Sequence, residues 1–208
     1  MSGIQFVRNF LGRSWQNERK QDVWAVEPIK DSLQSLRFLY HVKEHAIFGG
    51  LRLVFEIKIH DEHPYKAPTI KVRTPNGRML TDTSICIDGL TAWHPESWNI
   101  ITSMGGIVER FMVAFLDLEG VKEGVGFVKN PVEVEMRSFA HDSLRWNKET
   151  FPDIMLLFQE QCDDLLCATL SDDSSALSTS SASVDEDYNE FIYEEEEEVS
   201  AVSAVECT

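Results

Sequence analysis

The sequence predicts an α+β domain, on three observations. Four short apolar runs, alternating or rich in β-branched residues, follow one another between Asp22 and Arg73. A helical stripe precedes them. After an irregular stretch, longer runs with helical spacing begin at Ile101.

Taken in order, residues 3–20 read as a helix, because Ile4, Val7, Leu11 and Trp15 recur at three- and four-residue spacing. Asp22–Ile29 reads as a first strand ending near Pro28. Leu36, Phe38, Tyr40 and Val42 alternate, so 35–43 is a second. After the Gly49-Gly50 turn, Leu51, Leu53, Phe55, Ile57 and Ile59 alternate, giving a third over 51–59. Two prolines break the pattern at DEHPYKAP, and Thr69–Arg73 makes a short fourth. The short links predict an antiparallel meander. Residues 74–99 are rich in turn formers and irregular, which in a compact domain marks function more often than idleness. Ile101–Leu118 is a nearly all-apolar central helix. Glu119–Val128, with three glycines, is a loop. Pro131 is the expected first residue of a helix reaching Lys148. Thr150–Leu170 reads as a last helix, with Ile154, Leu157, Cys162, Leu165 and Leu166 mostly inward.

The chain has 208 residues, 43% of them hydrophobic, and a net charge of −16. Twelve of the acids lie in 171–208 with no Lys or Arg, so residues 1–170 carry only −4. The expected division is a globular domain over 1–170 and a disordered, Ser-rich acidic tail over 171–208. Such a charge distribution repels phosphates and argues against nucleic acid as a partner. The four cysteines, Cys86, Cys162, Cys167 and Cys207, form no CxxC pair and no zinc-type spacing, so neither metal nor cofactor is expected. No run reaches the roughly 20 apolar residues of a membrane span, and no secretory leader is visible. The expectation is a soluble protein of the cytoplasm or nucleus, without a transmembrane segment.

The irregular stretch reads TPNGRMLTDTSICIDGLTAWHPESWN. Taken alone, Cys86 is a small buried residue or an exposed nucleophile, and Asn76-Gly77 is a turn signal. The ordered set says more. Thr74-Pro75-Asn76-Gly77, Ile85-Cys86-Ile87 and His94-Pro95-Glu96-Ser97-Trp98-Asn99 together resemble the ubiquitin-conjugating enzyme family. The likeness is strongest to the endoplasmic-reticulum-associated branch, where Thr-Pro-Asn-Gly replaces a His-Pro-Asn triplet set nearer the cysteine. Phe48-Gly49-Gly50, the His63-Pro64-Tyr65-Lys66-Ala67-Pro68 loop, and Leu144, Trp146, Asn147 and Phe151-Pro152 extend it over roughly residues 3–160. The sequence departs from the branch at Asn99-Ile100-Ile101, where a Pro-Ala-Trp step is usual, and at Ala67, where a proline is usual. It also shows no C-terminal membrane helix.

The resemblance implies the ubiquitin-conjugating fold: an N-terminal helix, a four-stranded antiparallel meander, a central helix and C-terminal helices. It implies that Cys86 accepts ubiquitin as a thioester from an activating enzyme and yields it to a lysine of a protein substrate. Sulfur suits both steps, being nucleophilic as thiolate and a good leaving group. Asn76 would donate a hydrogen bond to the oxyanion or brace the loop framing the site. Asp88 would orient or deprotonate the incoming lysine. The first helix, with Arg8, Arg13 and Lys20, would meet the activating enzyme. Pro64, Tyr65, Ile100 and Ile101 would form the patch for a RING-type ligase. His94 reads as structural, and Trp93 and Trp98 as loop-packing residues. The tail either docks on a basic ligase groove or merely solubilises. The rival reading is a non-catalytic ubiquitin-conjugating-like module that binds ubiquitin or a ligase; a cysteine hydrolase pairing Cys86 with His94 or His63 ranks last.

Overall fold

A computed structural model describes residues 2–14, 24–30, 32, 34–101, 103–121 and 123–159. Helix α1 spans Gly3–Asn9, capped at its start by the Ser2 hydroxyl, which accepts from the Gln5 amide at 3.3 Å. A π-helical turn, Phe10–Ser14, follows. Four strands come next: β1 (Trp24–Pro28), β2 (Ser35–His41), β3 (Arg52–Lys58) and β4 (Thr69–Val72). They pair antiparallel in sequence order, which is the expected meander. Helix α2 (Met104–Leu116) and helix α3 (Glu133–Thr150) follow the irregular stretch, and a short helix α4 occupies 152–159.

The alternation read from the sequence sorts the sheet into two faces. On the inner face Val26 pairs with Phe38, and Phe38 with Phe55, whose rings stack at 5.5 Å. Helix α2 lies on this face through Phe111, 4.7 Å from Phe55, while its Phe115 meets Phe48 at 4.9 Å. These phenylalanines are fully buried, and each such side chain contributes about 1.5–3 kcal/mol. The start of α2 is fixed by Ser103, whose hydroxyl accepts from the Gly106 amide. On the outer face Ala25, Leu39 and Val54 are cross-strand partners, and α4 covers them with Ile154, Met155 and Phe158. Beside them Arg37 joins Glu27 and Glu56 across three strands and lies 4.8 Å over the Phe151 ring.

Strand β4 covers β3 only from Phe55 onward. The uncovered backbone of β3 finds partners on α3 and on Thr74 instead. Arg52 donates its amide to the Ser143 hydroxyl at 3.0 Å, and its carbonyl accepts from Asn147 Nδ2 at 2.6 Å. Val54 donates to the Thr74 hydroxyl, which donates in turn to Asn147 Oδ1, both at 2.8 Å. Buried polar groups on a helix thus stand in for a missing strand.

Three sequence expectations need correction. The buried face of α1 is Gly3, Phe6, Val7 and Phe10, with Ile4 and Leu11 only half-buried. Gly3 is required there, because a Cβ would sit 2.1 Å from the His60 carbonyl oxygen. Pro131 is not the first residue of α3; Val132, in extended conformation, caps a helix that starts at Glu133. In α4, Ile154 is inward as expected, but Met155 and Phe158 complete the face and Leu157 is half-buried. Trp15, Lys20, Cys162, Leu165, Leu166, the expected boundary near 170 and the tail 171–208 lie outside the described residues. No described helix is long and apolar enough to cross a membrane.

Candidate active site

The site begins where β4 ends. Asn76 folds its side chain back on its own turn, as a short amide does when the next residue, Gly77, has φ +72°. Its Oδ1 accepts from the Arg78 amide at 2.9 Å and the Met79 amide at 2.7 Å. Its Nδ2 donates to the carbonyls of Thr74 at 2.9 Å and Met79 at 3.2 Å. The carboxamide is 1% exposed, and both of its donor hydrogens are engaged with main chain. Of the two roles expected for Asn76, these bonds describe the brace.

The braced segment is stitched to the glycine-rich loop. Leu80 donates to the Gly126 carbonyl at 2.7 Å, and Val128 donates to the Arg78 carbonyl at 2.9 Å. Further on, Ile85 donates to Ile70 of β4, and Cys86 donates to the Val125 carbonyl at 2.8 Å. Ile85 and Ile87 are buried on either side of Cys86, so alternation turns the intervening thiol outward. Cys86 is half-buried and is a free thiol. Gly124, at φ +149°, packs beside it: a Cβ there would lie 3.0 Å from the Cys86 carbonyl oxygen and 3.6 Å from its Cβ.

Cys86 sits in a cleft of about 500 Å³ together with Ile87, Asp88, His94, Glu119, Gly120, Val121, Glu123 and Gly124. Asp88, Glu119 and Glu123 make it negative, which favours an approaching ammonium group. The structure therefore brings Cys86 and Asp88 together, and Asn76 is not among the lining residues. His94 does line the cleft, with Nδ1 3.2 Å from Glu96 Oε1. Among the described residues, no cluster of His, Cys, Asp or Glu is arranged to hold a metal ion.

A second surface forms where Trp98 Nε1 donates to the Pro64 carbonyl at 2.8 Å, drawing the two loops together. Tyr65 is 75% exposed and Ile100 57%, whereas Ile101 is half-buried against the core. Trp98 packs as expected, but Trp93 is exposed. Beneath this surface lies His63, fully buried, its ring 4.2 Å from that of Phe6 and 6.4 Å from that of Trp98. Among the described residues, neither ring nitrogen has a hydrogen bond of good geometry. Burial pushes its pKa below the ordinary value, against the pull of the Lys66 and Ile101 backbones. Arg8 is exposed in the last turn of α1, the side chain of Arg13 lies outside the description, and Lys20 is not among the described residues.

Sequence reasoning missed Arg78. It is 3% exposed, and its Nη2 shares its two hydrogens among the carbonyls of Ala114, Asp117 and Val121 at 3.1, 2.6 and 2.6 Å. Burial lowers its pKa, and Asp117 opposes the shift. Its charge suits the electronegative end of α2. An arginine after Asn-Gly gives no sequence signal of this burial.

No protein-family model matches the chain. Over 136 residues it is 30% identical to ubiquitin-conjugating enzyme E2 34 of Arabidopsis thaliana, covering 65% of this chain and 55% of that protein. It is 31% identical over 102 residues to ubiquitin-conjugating enzyme E2 6 of Schizosaccharomyces pombe, covering 49% and 43%. With ubiquitin-conjugating enzyme E2 J2 of Homo sapiens it shares 27% over 118 residues, covering 55% and 45%. The chain thus spans about half the length of the curated relatives it matches. A solved structure described as a novel ubiquitin-conjugating enzyme aligns over 74% of this chain and 92% of that one, at 21% identity and a TM-score of 0.46.

Proposed function

We propose that this chain is a ubiquitin-conjugating enzyme that carries ubiquitin as a thioester on Cys86. The observation that supports it is a half-buried thiol, flanked by two buried isoleucines, opening into an acidic cleft beside Asp88. In the first step the Cys86 thiolate attacks the carbonyl carbon of ubiquitin's terminal glycine, and the thiolate of the activating enzyme leaves. In the second, a neutral lysine amine attacks the same carbon. The C–N bond forms, the C–S bond breaks, and the Cys86 thiolate departs with the electron pair. The amine's surplus proton passes to Asp88 or to the departing sulfur. Asn76 holds the frame of the site. Arg8, Arg13 and Lys20 face the activating enzyme, and Pro64, Tyr65, Ile100 and Ile101 face a RING-type ligase.

The test is a charging reaction with activating enzyme, ATP and ubiquitin, resolved with and without reductant. Wild type should give a thiol-labile adduct. Cys86→Ser should give a reductant-resistant ester or none. A wild-type chain that never charges leaves the non-catalytic module as the reading.

A further inference from the structure

The cleft has two walls that come from distant parts of the chain. One is the cysteine-bearing segment, Cys86 to Asp88. The other is the turn after α2, which supplies Glu119, Gly120 and Val121. Within this turn Asp117 Oδ1 accepts from the Glu119 and Gly120 amides, and the Val121 amide returns to the Asp117 carbonyl at 3.3 Å. Leu118 and Val121 pack against the core, and the polar tie from the turn to the segment before the cysteine is Arg78. A single guanidinium nitrogen donates to the last turn of α2 at Ala114, to the start of the loop at Asp117 and to its far side at Val121. The backbone of Arg78 is itself held on both sides, by Asn76 Oδ1 on its amide and Val128 on its carbonyl. The Phe127 ring lies 5.7 Å from the guanidinium carbon, and Arg78 Nε is buried without a hydrogen-bond partner among the described residues. Burying an arginine with one nitrogen unpartnered costs stability, and its bonds to the turn offset part of that cost.

We propose that Arg78 is a positioning residue that fixes the separation of the two cleft walls, and so favours attack on the thioester by a held lysine over attack by water. The inference rests on the ubiquitin-conjugating reading. The chain of contacts runs from the Asn76 brace, through the Arg78 backbone and side chain, to the wall bearing Glu119. A lysine nucleophile needs that wall in register with Cys86 and Asp88. Water and hydroxylamine, being small, do not.

The experiment uses the full chain with Arg78→Met, which keeps length and removes the donors, and Arg78→Lys, which keeps a charged donor. Preformed thioester is chased with lysine, with hydroxylamine, or with buffer alone. In Arg78→Met the lysine rate should fall roughly ten- to a hundredfold. The hydroxylamine and water rates should hold or rise. Arg78→Lys should recover part of the lysine rate. Amide exchange at residues 117–121 should quicken in Arg78→Met. An unchanged lysine-to-water ratio, or unchanged exchange, overturns the proposal. If the methionine variant does not fold, the lysine variant decides: a lowered ratio supports the proposal and a wild-type ratio overturns it. A wild-type chain that never charges removes the enzymatic reading and the proposal together. Variants that charge and discharge like wild type remove only the proposal.

Discussion

Replacing Asn76 by alanine deletes four hydrogen bonds at a side chain that is 1% exposed. Each is worth about 0.5–1.5 kcal/mol net, so the loss should be about 4 kcal/mol. That is a large part of the roughly 5–15 kcal/mol that holds a domain together. For a chain of this size the melting point should drop by roughly 8–16 °C. Asn76→Asp keeps the two acceptor bonds but sets a carboxylate oxygen against the Thr74 and Met79 carbonyls in a buried site, so a fall at least as large is expected. Because a slack turn moves the cysteine's surroundings before any lysine arrives, charging and discharge should decline together. Thermal melts followed by tryptophan fluorescence give the first quantity, and single-turnover charging and discharge below the melting point give the second. An alanine variant that melts within about 2 °C of wild type, charges normally and discharges about 100-fold more slowly would refute the brace; that pattern belongs to a donor acting on the oxyanion.

Three other outcomes are expected. His63 is buried neutral with a depressed pKa, so the unfolded chain takes up its proton first as pH falls. Stability should therefore decline as pH drops below about 6.5, and His63→Leu should flatten that slope; an identical slope in the variant would sink the assignment. Tyr65→Ala, at a 75% exposed site, should leave the melting point within error while cutting ligase-stimulated discharge roughly tenfold or more. Undiminished stimulation would take Tyr65 out of the patch. Gly124→Ala places a Cβ 3.0 Å from the Cys86 carbonyl oxygen at a φ of +149°, and should slow charging while costing about 1–2 kcal/mol of stability. Charging at the wild-type rate would show that the wall can yield.

The meander was readable because its alternation is nearly unbroken: Leu53, Phe55 and Ile57 face one layer, and Val54 and Glu56 the other. In α1, a ladder begun at Ile4 includes Val7 but skips Phe6 and Phe10, which share its buried face. The cysteine and its aspartate were legible as a motif, because both lie in one short segment. Arg78 carries no such mark, and Asn147, though part of the C-terminal motif, carries no sign of its buried bonds to the sheet. Their partners lie 36 to 43 and 73 to 95 residues away, and no local pattern marks a polar side chain that is buried by contacts so remote. The double use of Asn76, as acceptor and donor to its own turn, likewise depends on a backbone path that the letters Pro-Asn-Gly allow but do not dictate.

The arrangement in which Ser143 and Asn147 occupy the open stretch of β3 has a practical corollary for anyone cutting the chain. A fragment that stops short of Ser143 would strip Arg52 of its Ser143 and Asn147 partners at the sheet margin, an invitation to edge-to-edge self-association. A fragment that stops after Asn147 but before Ile154 would seal that margin yet strip the lid from Ala25, Leu39 and Val54. Soluble, monomeric material should therefore require the polypeptide to continue at least through Phe158.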